Sequence, residues 1–436
     1  MKRTLQLILF GTLFSAVLQC VVTDSAAITL TECRGLALKR NLSVRSARAD
    51  VQSAKASVLG ARSAYLPRLS MSGWWTRYEE KSFFMQGGDF EIDDQSYRLS
   101  GNASLTLFDG MGRLSGYRAS LARRTGATEA LRSAAQEVAY ETERLFVEAL
   151  RSDALREVNE EAVRLSAEQL KKTRAMLDLG AATRADVFKA EVDHSNNQLA
   201  LLRAKRDRRL ATAGLASFVG LDPLEDLELL DDAPPAEDLP VLGDAVKAAR
   251  ASHPRLGTAR AGVGAERWGV RSAQSGFFPS LNLWSGISYQ DTEWSALNDE
   301  RTEWSYGVSL DFTVFDGFLT TAGVRQARSS LLSSEAAVES AEREVVLGVH
   351  SAHLDVEIAR ESIGVAGSGV RSAEEDLRLA QERFKLGEGT ILEVIDAQVN
   401  HTRARTSLVS ATYDLRLAQA GLRRAMGSAV RSEPSP

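Results

Sequence analysis

Two pairs of segments alternate between apolar and polar residues with a period of two, which predicts β-strands. In the clearest segments every second residue is apolar or small: Tyr97, Leu99, Gly101, Ala103, Leu105 and Leu107 in one, and Trp304, Tyr306, Val308, Leu310, Phe312 and Val314 in the other. A shorter alternating segment precedes each of them, directly after Pro67 and Pro279. The pattern therefore predicts two hairpins, at about 68–108 and about 280–315.

Elsewhere the chain has the composition of helices. Residues 29–64 are rich in Ala, Leu, Arg and Ser, and so are two very long segments at about 110–178 and 317–385. Each long segment has roughly 69 residues, or about 100 Å at 1.5 Å per residue. A further helix, at 184–219 in one case and 391–427 in the other, can fold back along it as an antiparallel coiled coil. The turns at 179–183 and 386–390 would then be the tips of these coils.

The two halves of the chain are related by a tandem duplication. At an offset of 207, residues 179–220 match 386–427 in 17 of 42 positions, and Phe108-Asp109-Gly110 matches Phe315-Asp316-Gly317. Proline is absent from 68–222 and from 280–433, and the segment between these runs is acidic. These boundaries predict a first repeat at 28–221, a proline-containing linker at 222–241, a second repeat at 242–428 and a tail at 429–436.

The first 27 residues have the order of a secretory signal. Lys2 and Arg3 precede an apolar run, and small residues follow at 25–27. This order predicts export and removal of the segment. Two alternatives stay open: a retained membrane anchor, since the run is just long enough to span, and lipidation at Cys20.

Composition excludes several function classes. The net charge of −5 argues against a nucleic-acid-binding surface, which needs a basic face. The two cysteines, Cys20 and Cys33, do not make a disulfide-stapled module. The chain has no phosphate-binding loop of the ATPase type. We expect no enzyme activity and no catalytic, cofactor or metal site, so the energy for any transport must come from a partner.

The hairpins are better suited to a membrane barrel than to a soluble sheet. Their strands are about ten residues long, which matches a tilted membrane crossing. Five of the six tryptophans fall in them, as expected for aromatic residues at a membrane interface: Trp74, Trp75, Trp284, Trp294 and Trp304. Four strands cannot close a barrel, which needs about eight. A spanning protein would therefore be a homo-oligomer, of two copies with eight strands or three with twelve.

The ordered set of motifs resembles the TolC family of outer-membrane efflux proteins. The resemblance covers about 28–428 and rests on the following motifs: Thr29-Leu30-Thr31-Glu32, Ala47-Arg48-Ala49, Leu66-Pro67, the two Phe-Asp-Gly strand ends, and the two Leu-Gly-x-x-Thr-x-x-acid-Val turns. The sequence departs from the family's usual pattern at Cys33, where alanine is common, and at Met176-Leu177, where the second half has Arg383-Phe384.

The resemblance implies a mainly α fold with a membrane β-barrel part. It implies a homotrimer in which four strands per protomer complete a 12-stranded barrel in outer-membrane lipid. The long helices would form an α-barrel reaching into the periplasm. The protein would then be the passive exit duct of an inner-membrane pump, joined to it by a periplasmic adaptor. The adaptor contacts map to the tips, at Leu179, Gly180, Thr183, Leu386, Gly387 and Thr390.

The resemblance also places acidic residues at a closed periplasmic entrance. Glu393 and Asp396 match the family's acid-x-x-acid spacing, and Asp186 matches the first acid in the other repeat. Residues three apart share a helix face, so threefold symmetry would make two stacked acidic rings that favour cations. The alternative is that these acids lie in water near a helix start, where they suit the helix dipole. Gly389 replaces a basic residue that helps to lock the entrance in some relatives.

Other interpretations stay open within and outside this class. A type I protein-secretion duct has the same architecture as a small-molecule efflux duct. A periplasmic coiled-coil scaffold with soluble hairpins is the alternative from a different class, and it predicts a monomer that needs no detergent.

Overall fold

The computed structural model describes residues 27–78, 82–85, 88–91, 95–225, 227–232, 239–291 and 302–428. Almost all of the predicted signal segment, with Cys20, lies outside them, as do Trp294 and the tail at 429–436. Within the described residues the chain is mainly helical, with eight α-helices: Leu30–Arg40 (α1), Leu42–Ser63 (α2), Gly112–Asp178 (α3), Arg184–Val219 (α4), Leu242–Ser252 (α5), Pro254–Gln274 (α6), Leu319–Lys385 (α7) and Ile391–Ala425 (α8). Its strands are Ile28–Thr29 (β1), Arg68–Arg77 (β2), Ser82–Met85 (β3), Gly88–Glu91 (β4), Gln95–Asp109 (β5), Leu229–Leu230 (β6), Ser280–Asp291 (β7) and Thr302–Asp311 (β8).

The two long helices confirm the length predicted from the sequence. Both α3 and α7 have 67 residues, and each begins within two residues of the predicted start. The chain divides into two compact units. Among the described residues, we call 27–41, 139–225, 227–232 and 356–420 the helical unit, and 42–78, 82–85, 88–91, 95–138, 239–291, 302–355 and 421–428 the sheet unit.

In the helical unit, consecutive helices run antiparallel. Arg174 of α3 pairs with Glu191 of α4 at 2.6 Å, and further along Arg208 of α4 pairs with Asp153 of α3 at 3.0 Å. In the other repeat, Leu377 and Ala380 of α7 pack against α8. Small and branched residues fill the interior, which allows close helix approach.

The N-terminal residues of the helical unit are joined to the acidic linker. β1 pairs with β6 in parallel, with Ile28 opposite Leu229. Asp232 then accepts hydrogen bonds from the backbone N–H of Leu30 at 3.0 Å and from the hydroxyl of Thr31 at 3.1 Å. The linker carboxylate therefore supplements the capping box that Thr29 and Glu32 form at the start of α1.

The sheet unit contains one antiparallel sheet in the order β2-β5-β7-β8. Its central pair, β5 and β7, comes from different repeats, so the sheet joins the two halves of the chain. Met71, Gly101, Ile287 and Trp304 lie side by side in one row across the four strands. Tyr97 to Leu105 alternate as predicted, but a register shift between Thr106 and Phe108 marks a bulge at Leu107. Phe108, opposite Leu281, thereby joins the apolar face.

The two Phe-Asp-Gly motifs turn each repeat from strand to helix. Gly110 and Gly317 have φ of 62° and 65°, which glycine adopts without steric cost. Asp109 accepts a 2.7 Å hydrogen bond from the N–H of Arg113, and Asp316 accepts one of the same length from Thr320. The motif therefore caps the helix that follows in both repeats. β5 ends within the motif, at Asp109, whereas β8 ends at Asp311, so Phe312 and Val314, which were predicted as strand residues, lie beyond the strand.

Candidate functional site: two helix turns and a two-faced sheet

The turn between α3 and α4 reverses the chain with a Schellman motif. The N–H of Gly180 bonds to the carbonyl of Leu177 at 3.0 Å, and the N–H of Ala181 bonds to that of Met176 at 2.8 Å. Gly180 has φ of 72°, so its lack of a side chain is what permits this geometry. Leu179 projects from the turn with 83% of its surface exposed.

Thr183 and Asp186 then start α4 as a capping box. The Thr183 hydroxyl accepts from the N–H of Asp186 at 3.2 Å. In return the Asp186 carboxylate accepts from the Thr183 N–H at 2.9 Å and from its hydroxyl at 2.6 Å. These two bonds, and then the nearby charge of Lys189, hold the pKa of Asp186 below its ordinary value. Asp186 is thus a structural cap of its own helix.

The turn between α7 and α8 repeats this backbone. Gly387 has φ of 77°, its N–H bonds to the carbonyl of Phe384 at 3.2 Å, and the N–H of Glu388 bonds to that of Arg383 at 3.0 Å. Thr390 caps α8 by accepting from the N–H of Glu393 at 3.3 Å. Leu386 is 75% exposed, as Leu179 is in the first turn. The predicted tip residues therefore occupy equivalent places in two equivalent turns.

Gly389 packs closely against Arg383 at this turn. A Cβ at Gly389 would lie 3.1 Å from Cβ of Arg383 and 3.2 Å from the backbone nitrogen of Phe384. Such contacts are closer than most Cβ atoms make, so a side chain at 389 would shift its neighbours by a few tenths of an ångström. The first turn has Ala182 at the equivalent position. Arg383 places a basic side chain beside this position.

Arg383 connects the two sides of the second turn. Its guanidinium lies 3.3 Å from the Glu393 carboxylate and donates a 3.3 Å hydrogen bond to the carbonyl of Glu388. The equivalent position in the first repeat is Met176, which has no charge. The ion pair is therefore specific to the second turn, and it was not predicted from the sequence.

Glu393 and Asp396 both lie on the exposed side of α8 near its start. Ile391 and Val394, which alternate with them, are buried. Glu393 takes part in both the helix cap and the ion pair with Arg383. Glu393 therefore stabilises the start of its own helix, as the alternative to an acidic entrance predicts. Asp396 lies one turn further along α8 and is exposed.

The sheet has one apolar and one polar face. The apolar face carries Trp75, Met71, Leu283, Trp304 and Val308, and these side chains are exposed. The polar face carries the alternate residues, which in β8 are Glu303, Ser305, Gly307, Ser309 and Asp311. Two of the tryptophans grouped as membrane-interface residues, Trp74 and Trp284, belong to the polar face. Their positions in the alternation already carried that signal.

Two further properties of the described residues bear on chemistry. None of their helices is both long enough and apolar enough to cross a membrane. They contain no group of three or more His, Cys, Asp and Glu side chains placed to hold a metal ion.

Comparison with known proteins gives consistent matches over most of the chain. The family description "Outer membrane efflux protein" matches residues 34–221 and 245–428. The chain is 28% identical over 414 residues to the outer membrane efflux protein BepC of Brucella suis, covering 93% of this chain and 87% of that protein. It is 26% identical over 425 residues to the alkaline protease secretion protein AprF of Pseudomonas aeruginosa, covering 94% and 87%. The crystal structure of the outer membrane protein VceC of Vibrio cholerae has the same fold, with a TM-score of 0.79, 17% identity, and coverage of 91% of this chain and 96% of that one.

Proposed function

The chain belongs to the outer membrane efflux protein family, and from this premise we propose that it is the passive exit duct of a tripartite efflux system. The observation that carries the proposal is the two-faced sheet. Its apolar face is exposed at Met71, Trp304 and Val308, whereas a sheet in a soluble protein buries such a face. Lipid on that face and water on the other would satisfy both sets of side chains.

The sheet's open edges support assembly of several copies. Within the described residues, β2 and β8 each pair on one side only. An open strand edge in lipid leaves backbone groups unpaired, at several kcal/mol each. Pairing β8 of one copy with β2 of the next removes both edges. Three copies give the 12-stranded barrel that the family resemblance implies.

The helical unit offers a matching surface for a second copy. On α4, Phe188, Val192, Leu199 and Leu202 recur at spacings of three, four and seven residues, so they share one face. All four are exposed in the single chain. Packing against a neighbouring copy would bury this stripe, at about 1.5 to 3 kcal/mol per large side chain.

We assign the two helix turns to the periplasmic entrance. Leu179 and Leu386 present exposed apolar side chains on hydrogen-bonded turns, which suits a periplasmic adaptor. Around a threefold axis, Glu393 and Asp396 would give two acidic rings that favour cations. Arg383 neutralises part of the charge of the Glu393 ring, so the Asp396 ring carries the greater share of the cation selectivity.

Protein export is the second candidate, because AprF is named as a secretion protein. Both candidates share the same duct and differ in the pump. Genetic pairing with an exporter for proteins, rather than with a drug or metal pump, would distinguish them.

The first experiment determines location and mass. Full-length protein is expressed, and inner and outer membranes are separated. The protein is then extracted in mild detergent and the molecular mass of the oligomer is determined. We expect a trimer in the outer-membrane fraction. A monomer that is soluble without detergent would refute the duct and favour the scaffold alternative.

The second experiment tests the entrance in planar bilayers. E393Q combined with D396N should lower cation preference and weaken block by divalent cations. E357Q combined with E361Q removes the same charge from exposed positions of α7 and serves as the matched control. Unchanged selectivity in the first variant, or equal loss in both, would contradict the acidic entrance.

A further inference from the structure

All four strands of the sheet meet their helices at one edge. Asp109 at the end of β5 lies opposite Ser280 at the start of β7, which lies opposite Asp311 at the end of β8. β2 begins at this edge as well, shortly after α2 ends. In a barrel with lipid on its apolar face, the strands leave the hydrocarbon here, so this edge lies at the level of the lipid headgroups on the periplasmic side.

Two arginines and two tyrosines are interleaved at this edge in the first repeat. Arg62, in the last turn of α2, donates to the Tyr117 hydroxyl at 3.2 Å, and its guanidinium carbon lies 5.6 Å from the centre of that ring. Arg113, in the first turn of α3, lies 5.1 Å from the centre of the Tyr65 ring and donates to the Ala64 carbonyl at 3.2 Å. Because Arg113 and Tyr117 are one turn apart on α3, the two arginine–tyrosine pairs lie side by side. We call these four side chains the arginine–tyrosine cluster.

Carboxylates neutralise only part of the charge of this cluster. Arg62 is exposed and has no carboxylate partner among the residues that the structure describes. Arg113 has one, Asp109, which lies 3.4 Å from its side chain and also accepts from its backbone N–H. The segments 60–66 and 107–118 together contain three arginines and one acidic residue, which is a net charge of +2. The edge is therefore electropositive in the first repeat.

The second repeat shows that this junction folds without the cluster. Its matching positions, at offsets of 212 before the strands and 207 after them, hold neutral residues: Gln274, Phe277, Thr320 and Val324. The two junctions are nevertheless built alike. A Cβ at Gly276 would lie 3.0 Å from the hydroxyl of Thr320, and the corresponding residues of the first repeat, Ala64 and Arg113, are also in contact. The segments that match 60–66 and 107–118 contain one arginine and one acidic residue, so the excess of positive charge belongs to the first repeat alone.

The surroundings of the cluster suit a ligand with a phosphate group and an apolar part. A guanidinium offers a planar fork of N–H donors that matches phosphate oxygens, and stacking on an aromatic ring fixes its orientation. Leu66 and Leu69 follow Tyr65 along the chain with exposed side chains, and Leu69 lies on the apolar face of the sheet. An anionic phospholipid provides both parts, and its headgroup lacks the ammonium group that arginines would repel.

We propose that the arginine–tyrosine cluster binds the phosphate of an anionic phospholipid in the periplasmic leaflet of the outer membrane. The inference rests on the proposed function, since the cluster lies at the headgroup level only if the sheet crosses the membrane. It adds a lipid partner, with one site in each protomer.

The test counts the lipids bound to the trimer by native mass spectrometry after extraction in mild detergent. The probes are phosphatidylglycerol, which is anionic, and phosphatidylcholine, which is zwitterionic, with the same acyl chains. The wild-type trimer should bind one phosphatidylglycerol per protomer more tightly than it binds phosphatidylcholine. R62Q should weaken phosphatidylglycerol binding by about fivefold, the usual effect of one arginine at an anionic lipid surface, and leave phosphatidylcholine binding unchanged.

R325Q is the matched control, because Arg325 is an exposed arginine at the same edge in the second repeat, where the cluster is absent. It should leave phosphatidylglycerol binding unchanged. R62K covers the case in which R62Q does not assemble. It should also weaken phosphatidylglycerol binding, by a smaller factor, because lysine keeps the charge but lacks the planar fork.

The outcomes separate the lipid site from the duct. A trimer in the outer membrane that binds both lipids equally, or that loses phosphatidylglycerol equally in R62Q and R325Q, overturns the site and leaves the duct intact. Displacement of phosphatidylglycerol by inorganic phosphate, but not by chloride at the same ionic strength, identifies a site for free anions and also overturns the lipid assignment. A soluble monomer overturns the duct, and the site with it.

Discussion

Arg383→Met should loosen the second helix turn and leave the first unchanged. Methionine is the residue that the first repeat has at the equivalent position, Met176. It keeps the unbranched stem on which Gly389 packs, and it removes only the guanidinium. The variant thus gives the second turn the side chain of the first while leaving the backbone motif intact.

The structure sets the size of the effect. The guanidinium makes one ion pair, at 3.3 Å to Glu393, and one hydrogen bond, at 3.3 Å to the Glu388 carbonyl. The side chain of Arg383 is 57% exposed and that of Glu393 is 43% exposed, so solvent screens this ion pair. An exposed pair contributes about 0.2 to 1 kcal/mol. With the hydrogen bond, we expect a loss of about 1 kcal/mol, which corresponds to about fivefold in a local opening equilibrium.

Hydrogen exchange followed by mass spectrometry measures this opening directly. Amides at 387–393 should exchange about fivefold faster in the variant, whereas those at 180–186 should be unaffected. In about 1 M salt, where screening extends to about 3 Å, the wild-type protein should approach the variant. Equal acceleration in both turns, or no acceleration at 387–393, would refute the assignment of Arg383 as a clamp on the second turn. A decrease of several kcal/mol in the free energy of unfolding would show that solvent screens the Arg383–Glu393 ion pair less than its exposure implies.

Three further changes test the helical unit. Thr183→Ala should destabilise the start of α4 by about 1 kcal/mol, measured as faster amide hydrogen exchange there. Because the pKa of Asp186 is lowered, the cap is fully present above the ordinary pKa of 3.8 and is lost as pH falls through the lowered value. D186N should abolish this pH dependence. Phe146→Ala removes a ring that is 1% exposed and should cost about 3 to 5 kcal/mol, measured as a lower thermal midpoint, whereas the same change at exposed Phe188 should have little effect on the monomer's core. Burial lowers the pKa of His401, so its contribution to stability is fully present above the ordinary value of 6.5 and is lost as pH falls through the lowered pKa. H401Q should therefore flatten the profile of thermal stability below pH 6.5.

The helices and turns could be predicted because their signals are local. In each turn a glycine follows the last helical turn, and a Thr-x-x-acid sequence starts the next helix. The hydrogen bonds of Thr183 with Asp186 realise that signal within four residues. The match between the repeats then showed that the two turns are equivalent, since the same residues recur at one offset.

The faces of the sheet were only partly predicted, because a face depends on pairing. Alternation alone places Trp74 with Arg68 on the polar side, and the pairing with β5 confirms that face. The grouping of the tryptophans as membrane-interface residues stays a prediction. The bulge at Leu107 depends on the partner strand β7 and has no local signature. Without that partner, Phe108 cannot be assigned to a face.

The clamp at the second turn was missed for a similar reason. Arg383 and Glu393 are ten residues apart, and only the Schellman geometry brings them together. Gly389 was interpreted through a missing basic side chain, whereas the structure shows that it packs closely on Arg383. Sequence reasoning found the charged residues of this site and could not tell which of them neutralise each other.

The differences between the two turns separate the requirements of the fold from those of transport. Residues that the backbone needs, namely the turn glycine, the capping threonine and the acid that pairs with it, recur in both repeats. The other charged positions do not: the first six residues of α4 carry a net charge of +1, and those of α8 carry −2. Lys189 occupies the position of Asp396 and accounts for most of this contrast. Because helix stability does not require it, exchanging these two residues should preserve the fold and change ion selectivity, and a selectivity that survives the exchange would place the entrance filter elsewhere.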